Sequence, residues 1–331
     1  RTVFPGVVMT KAICCWCGSL LGKHQQFWWC SNPTSDVCRI LQRKHAQYAV
    51  DNKGRQTMMV YLPLPKQAVW HTAVYDRELV YYLIGGAAGP GKSTCIRRIL
   101  YEFARLVPGF HALILRKTIP DLKKSHLRFM PHEVAQLGGQ WKASDNAAIF
   151  PHKGHIESVI RAGHFEDASA MDDYLSAEFD CIAPDEIVTM EVQTTLELFT
   201  RARSTNETLF QLRGLANPDP DEELDGSFIL AGSNPGGRLW VKDHWISKAP
   251  DPDEYKNYEP HRWAFFDAKL RDNPYLKSGY VKKIRNLREA RRRQLEDGDW
   301  DSFEGQFFSE WQQQRMGRPH HVGRFEELYA A

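Results

Sequence analysis

Nowhere in its 331 residues does this chain carry an apolar run approaching the roughly 18 residues of a membrane span, so no membrane partner is expected. Net charge is almost missing as well: 43 Lys and Arg against 41 Asp and Glu leave +2, too little for bulk electrostatics to announce a polyanion partner. Any such surface must be local. Internal repeats and low-complexity tracts are absent, which sets aside solenoids and unstructured arrays. The chain starts at Arg1, and its first ten residues are too short for a secretory leader, so an intracellular protein is expected. What remains, 42% hydrophobic and 25% charged residues, is ordinary for globular proteins, and the length allows two or three domains at roughly 100–200 residues each.

The most informative stretch is residues 80–94, VYYLIGGAAGPGKST. It is a short β-favouring run, then a glycine-dense turn, then the amphipathic segment 95–104. From Gly86 it matches G-x-x-x-x-G-K-[ST] in full, and it stands between a predicted strand and a predicted helix. Gly86, Gly89 and Gly91 would let the backbone wrap a polyphosphate with its N–H groups inward, with the helix presenting its positive end to the same anion. Lys92 would reach the outer phosphates, Ser93 would hold Mg²⁺, and Thr94 completes the motif.

Residues 111–116 form a second apolar run ending in Arg116, at the strand end where α/β sheets bind ligands. Arg116 either faces nucleotide or a neighbouring subunit, or is a solvent-facing strand-end arginine. The segment 138–163 alternates short apolar pieces with turns, which predicts a β-meander. Residues 179–186 give a strand that delivers Asp185 and Glu186, suited respectively to Mg²⁺ and to the attacking water of phosphoryl transfer. A further strand, 227–233, ends on Asn234, suited to sensing a γ-phosphate. Arg201 and Arg203 close a predicted helix and serve either as an arginine finger at a subunit interface or as partners of the helix dipole. Gln67, about twenty residues before the glycine loop, is either a purine reader, since an amide donates and accepts at once, or an exposed helix-start residue.

Five of the seven cysteines lie near the start. A C-x2-C knuckle at Cys14 and Cys17, then Cys30 and Cys38, suits a four-thiolate structural zinc site, with Cys15, His24 or His45 as substitute ligands. Unligated thiols or a partial site fit the loose spacing as well. ATP use implies a reducing compartment, which favours metal over disulfides. Residues 42–55 are polar and read as a short helix and linker. Near the other end, 280–296 reads as one helix with Val281, Ile284, Leu287 and Leu295 on a common face. Its many Lys and Arg either grip phosphate backbone or form a solvated face balanced by Glu289 and Glu296.

Taken in order, these pieces resemble the large terminase subunit of tailed bacteriophages. The resemblance rests on residues 64–67, the loop 85–93, 115–118, Asp185-Glu186, 232–237 with 240–242, 272–275 and 298–300, and covers roughly residues 60–315. It implies an ASCE-type P-loop ATPase with a mainly parallel α/β sheet. Such a subunit works as a homo-oligomeric ring on the portal protein, with a terminase small subunit, and drives double-stranded viral DNA into a procapsid in the cytoplasm of the bacterial host. In such motors Gln67 would belong to the adenine motif and Asn234 to the coupling motif. The chain departs from the family pattern in three ways. Ala87 and Ala88 stand where an arginine often lies inside the loop, so that charge is expected from Arg116, Arg201 or Arg203, acting in trans. After Glu310 only Glu326 and Glu327 supply carboxylate side chains, so no nuclease is expected in this chain. The cysteine-rich start is not typical of the family.

The expected organisation is therefore a zinc-ribbon-like module over 1–55, a P-loop ATPase over 56–260 and a helical C-terminal extension over 261–331. A helicase-like translocase of the same ASCE class, or an assembly module with a vestigial ATP site, fits the same motifs.

Overall fold

The computed structural model describes residues 21–24, 27–30, 36–166, 168–214, 226–236, 239–253 and 255–302. Two antiparallel hairpins come first, β1 (Leu21–His24) with β2 (Phe27–Cys30), then β3 (Gln47–Val50) with β4 (Gln56–Tyr61). Between them runs α1 (Asp36–Lys44). The stretch expected as helix and linker is thus the end of a helix, then the first strand and the turn of a hairpin. It is fastened to the main body, because the Gln47 side chain donates to the Arg98 carbonyl at 2.7 Å.

The main body alternates strand and helix: α2 (Pro65–Ala73), β5 (Tyr81–Gly86), α3 (Lys92–Leu106) and β6 (His111–Arg116). After β6, α4 (Ile119–Leu122) widens into a π-helical turn, Lys123–Leu127, and α5 (Met130–Gln136) follows. The predicted meander is β7 (Gln140–Lys142), β8 (Ala147–Phe150) and β9 (Ser158–His164), antiparallel in sequence. Then come β10 (Cys181–Pro184), α6 (Val192–Phe199), α7 (Glu207–Leu212), β11 (Phe228–Ser233), α8 (Trp240–Lys242) and β12 (Trp263–Ala268).

Eight strands form one sheet in the order β12-β5-β11-β10-β6-β9-β8-β7, parallel from β12 through β9. The glycine-loop strand β5 and the acidic strand β10 are therefore separated by one inserted strand, β11. Strands of this kind are buried on both faces and need apolar residues at every position. In β5, Tyr82 and Ile84 pack with α3 on one face while Leu83 points to the other, where Ile229, Trp240 and Trp245 lie. In β6, Ala112 and Ile114 alternate with Leu113 and Leu115 in the same way.

Strand β12 pairs with β5 over its whole length, so the sheet extends beyond the expected boundary at residue 260. The remainder folds back onto the glycine loop. The helix expected over 280–296 is broken: α9 (Ser278–Arg285) ends at Asn286, and α10 (Glu289–Arg292) runs into another π-helical turn, Arg293–Asp297. The break lets Ile284, Val281 and Leu295 cover Ala87, Ala88 and Leu270, while Leu287, at the break, stays exposed.

Candidate active site

Parallel strands deliver their C-terminal ends to one edge of a sheet. At that edge β5 gives the glycine loop, β11 gives Asn234 and β10 gives Asp185 and Glu186. Residues far apart in sequence are thereby brought together.

The loop is held open by left-handed backbone at Gly86, Gly89 and Gly91, with φ of 131°, 90° and 85°. Gly91 is the N-cap of α3; a β-carbon there would displace Gln67 Nε2, 2.6 Å away, and the φ of 85° strains any other residue. The N–H groups of Lys92, Ser93 and Thr94 fall in the first helical turn, where no intrahelical acceptor exists. Two loop amides are spent otherwise. Ala87 donates to the Ala268 carbonyl at 2.6 Å and Ala88 to the Leu295 carbonyl at 3.0 Å, so the anion cradle begins later in the loop than the motif suggests. Asn273 adds a bond from its amide to the Gly89 carbonyl at 2.8 Å.

The Lys92 ammonium donates to the Gly86 and Ala87 carbonyls and, at 2.7 Å, to Asn234 Oδ1. Burial pulls its pKa down to about 8, against the opposing charges of Glu186 and Asp185. Asn234 Nδ2 donates to Glu186 Oε1 at 3.0 Å. Burial raises the Glu186 carboxyl above its ordinary range, and the Asp185 charge adds to this. Glu186 also has φ of 60°, the left-handed region that a non-glycine residue rarely adopts.

Asp185 is almost wholly buried. Burial alone would raise its carboxyl, but a hydrogen bond with His126 and the Arg116 guanidinium, with a smaller contribution from Ser93, hold it below the usual range. Arg116 Nη2 lies 2.7 Å and His126 Nε2 2.9 Å from Asp185 Oδ2. Arg116 is thus paired with a carboxylate of its own chain. Arg116 Nε is buried without an acceptor among the described residues.

Gln67 is buried, unlike the exposed helix-start residue of one of its two readings. Its Oε1 accepts from the Leu64 N–H at 2.9 Å, and its Nε2 donates to the Pro90 carbonyl at 3.0 Å. Both ends of the amide are occupied by the protein, so in this conformation it ties α2 to the loop. Arg201 and Arg203 follow the end of α6 and are not brought to this edge. Arg203 N–H donates to the Phe179 carbonyl, before the start of β10, so both sit at the opposite edge of the sheet. Arg201 there bonds the Leu175 carbonyl at 3.0 Å, and Arg203 pairs with Glu178 at 3.1 Å.

His126 is the site residue that the sequence did not suggest; nothing in Lys-Lys-Ser-His sets it apart. Cys14 and Cys17 lie outside the described residues. Cys30 ends β2 and Cys38 lies in α1, where only the backbone is described. His45, a possible substitute ligand, is turned to Glu102 at 2.8 Å and to Thr72 at 3.1 Å.

Sheet order and loop together define an α/β P-loop fold. Among solved structures it is similar to the large terminase from a thermophilic bacteriophage, with a TM-score of 0.52, 16% identity and coverage of 72% of this chain and 52% of that one. The same terminase in complex with ADP gives a TM-score of 0.52, 16% identity and coverage of 72% and 56%. Its complex with ATP-gamma-S gives 0.50, 14%, 72% and 52%. The chain spans about half the length of these terminases. No protein-family model and no curated protein matches the sequence.

Proposed function

We propose that the chain is an ATPase, the motor part of a terminase large subunit that uses ATP hydrolysis to move double-stranded viral DNA into a procapsid. The observation that carries this reading is the convergence of Lys92, Asn234 and Glu186, linked by hydrogen bonds of 2.7 and 3.0 Å through Asn234, with Asp185 at the end of the same strand as Glu186. The likeness in fold to nucleotide complexes of a large terminase supports it.

The residues fit the substrate. Free first-turn N–H groups and the unpaired Arg116 Nε are donors that phosphate oxygens would satisfy. Lys92 turns from the loop carbonyls to the phosphates. Glu186, with its proton affinity raised, orients the attacking water and draws off its proton, while Asn234 holds that carboxylate in place. Arg116 neutralises charge developing on the transferred group. The Ser93 hydroxyl and the Asp185 carboxylate are hard oxygen donors that suit Mg²⁺. When bound, that ion would neutralise charge on the outer phosphate oxygens.

The same reading carries the finer assignments: partners in the portal protein, a terminase small subunit and further copies of this chain in a ring, and a place in the host cytoplasm. Cys14, Cys17, Cys30 and Cys38 would hold one structural zinc, and metal content far below one equivalent per chain would remove that assignment.

The test is ATP turnover by the full chain, with and without linear duplex DNA, for wild type, Lys92→Ala and Glu186→Gln. We expect duplex-stimulated turnover in the wild type and its loss in both variants, with nucleotide still bound by Glu186→Gln. Equal turnover in all three proteins would overturn the reading.

A further inference from the structure

The π-helical turn Lys123–Leu127 has two faces of opposite character. On the inner face, His126 is fully buried and gives its Nε2 to Asp185 Oδ2 at 2.9 Å. Its Nδ1 lies 3.5 Å from Arg97 Nη1. Arg97 is clamped by Glu133 through bonds of 2.8 and 3.0 Å. A guanidinium only donates, so Nδ1 accepts and Nε2 carries the proton directed at Asp185. One ring orientation satisfies both neighbours.

On the outer face, Lys123, Lys124 and Arg128 are exposed, and none forms an ion pair among the described residues. Lys117 lies half-buried at the start of the segment. The one acid between 117 and 128 is Asp121, which already accepts a bond from the Thr118 hydroxyl at 2.8 Å. A run of cations on a helix is usually a solvated face. Here the same turn has a buried residue on the carboxylate of the candidate active site, and π-turns inside helices are frequent at functional positions.

We propose that this turn couples duplex DNA to the active site: Lys123, Lys124 and Arg128 take backbone phosphates, and His126, moving with the turn, repositions Asp185. The inference rests on the ATPase reading and adds the face of the chain that meets DNA and the residue that carries the signal. His126 is a positioning residue, acting on the cation through Asp185. Cations spaced along an exposed turn match the spaced charges of a nucleic-acid backbone.

The probe is a linear DNA duplex titrated against the full chain over a salt series. Lys123→Glu with Lys124→Glu is expected to weaken binding at least about tenfold and to reduce the log affinity against log salt slope by about 2. Its melting temperature should stay at the wild-type value. Alongside, the Mg²⁺ concentration giving half-maximal ATP turnover is measured with and without duplex. In the wild type, duplex is expected to shift it by about fivefold. His126→Leu should need about tenfold more Mg²⁺ and show no duplex-dependent shift. His126→Gln, which keeps an N–H donor near the Nε2 position, should recover most of both. Unchanged duplex affinity and slope in the charge-reversed variant would overturn the surface, and a full duplex-dependent shift in His126→Leu would overturn the link. A wild type without turnover fails at the ATPase reading instead, and the duplex titration then still decides the surface.

Discussion

Lys92 and Glu186 are joined through a single amide: Asn234 accepts from the lysine at 2.7 Å with Oδ1 and donates to the carboxylate at 3.0 Å with Nδ2. A side chain that both donates and accepts is needed at that point, because an ammonium offers only protons and an ionised carboxylate only lone pairs. The phosphate-binding residue and the water-activating residue of the proposed reaction are therefore mechanically linked.

Asn234→Asp tests that link. A carboxylate there would hold Lys92 more tightly and repel Glu186, so ATP turnover should fall about a hundredfold, as for a misplaced general base. Steady-state turnover beside nucleotide affinity checks this, and unchanged turnover would show that the amide is incidental.

In the proposed reaction, Lys92 should set the pH dependence of nucleotide binding. Its ammonium, with a pKa pulled to about 8 by burial, is present below that pH and lost above it. Triphosphate binding favours the charged form. Affinity should thus be flat up to about pH 8 and then weaken by about tenfold per unit, because binding must take up a proton. Fluorescent-nucleotide titrations between about pH 7 and 9.5 read this, with Lys92→Arg flat across the range.

Gly232→Ala should disturb Asp185 directly. A β-carbon at that position would lie 2.7 Å from Asp185 Oδ1 and 2.6 Å from Ile96 Cδ1. We expect a loss of about 1–3 kcal/mol in stability from overpacking, with a raised Mg²⁺ requirement. Denaturant unfolding and a Mg²⁺ titration of turnover measure the two effects separately.

Acid should loosen the attachment of the early segment to α3. Glu102 accepts from His45 at 2.8 Å, His71 at 2.7 Å and Tyr75 at 2.6 Å. Burial alone would raise its carboxyl, but the two histidines hold it well below the usual range. A carboxyl lowered in the folded state adds stability that is present above its unfolded pKa and is lost as pH falls toward the folded value. Burial lowers His71 as well, so the unfolded chain takes up its proton first as pH falls below about 6.5, with the same sign. The melting temperature should begin to drop below about pH 6.5, through His71, and fall further below about pH 4.5, through Glu102; Glu102→Gln should lack the second fall. That variant should lose about 3 kcal/mol at neutral pH, as when one partner of a buried polar cluster is removed.

The amino-acid sequence by itself determined the local pieces: the strand, glycine turn and helix around Lys92, the apolar strands ending in Asp185-Glu186 and in Asn234, and the meander after α5. Each depends on neighbours in the chain, through β-favouring runs, left-handed glycines and the first turn of a helix. Tertiary structure alone decided that β11 lies between β5 and β10, that β12 flanks the loop strand on its other side, and that the helix expected over 280–296 breaks to cover the glycine loop. It also decided that Arg116 pairs with Asp185 of its own chain while Arg201 and Arg203 lie at the far edge, and it brought His126 to Asp185 across 59 residues of sequence. Periodicity and spacing report which residues share a face of one element, whereas a contact between elements depends on how sheets order their strands and bury both faces, which no single stretch encodes.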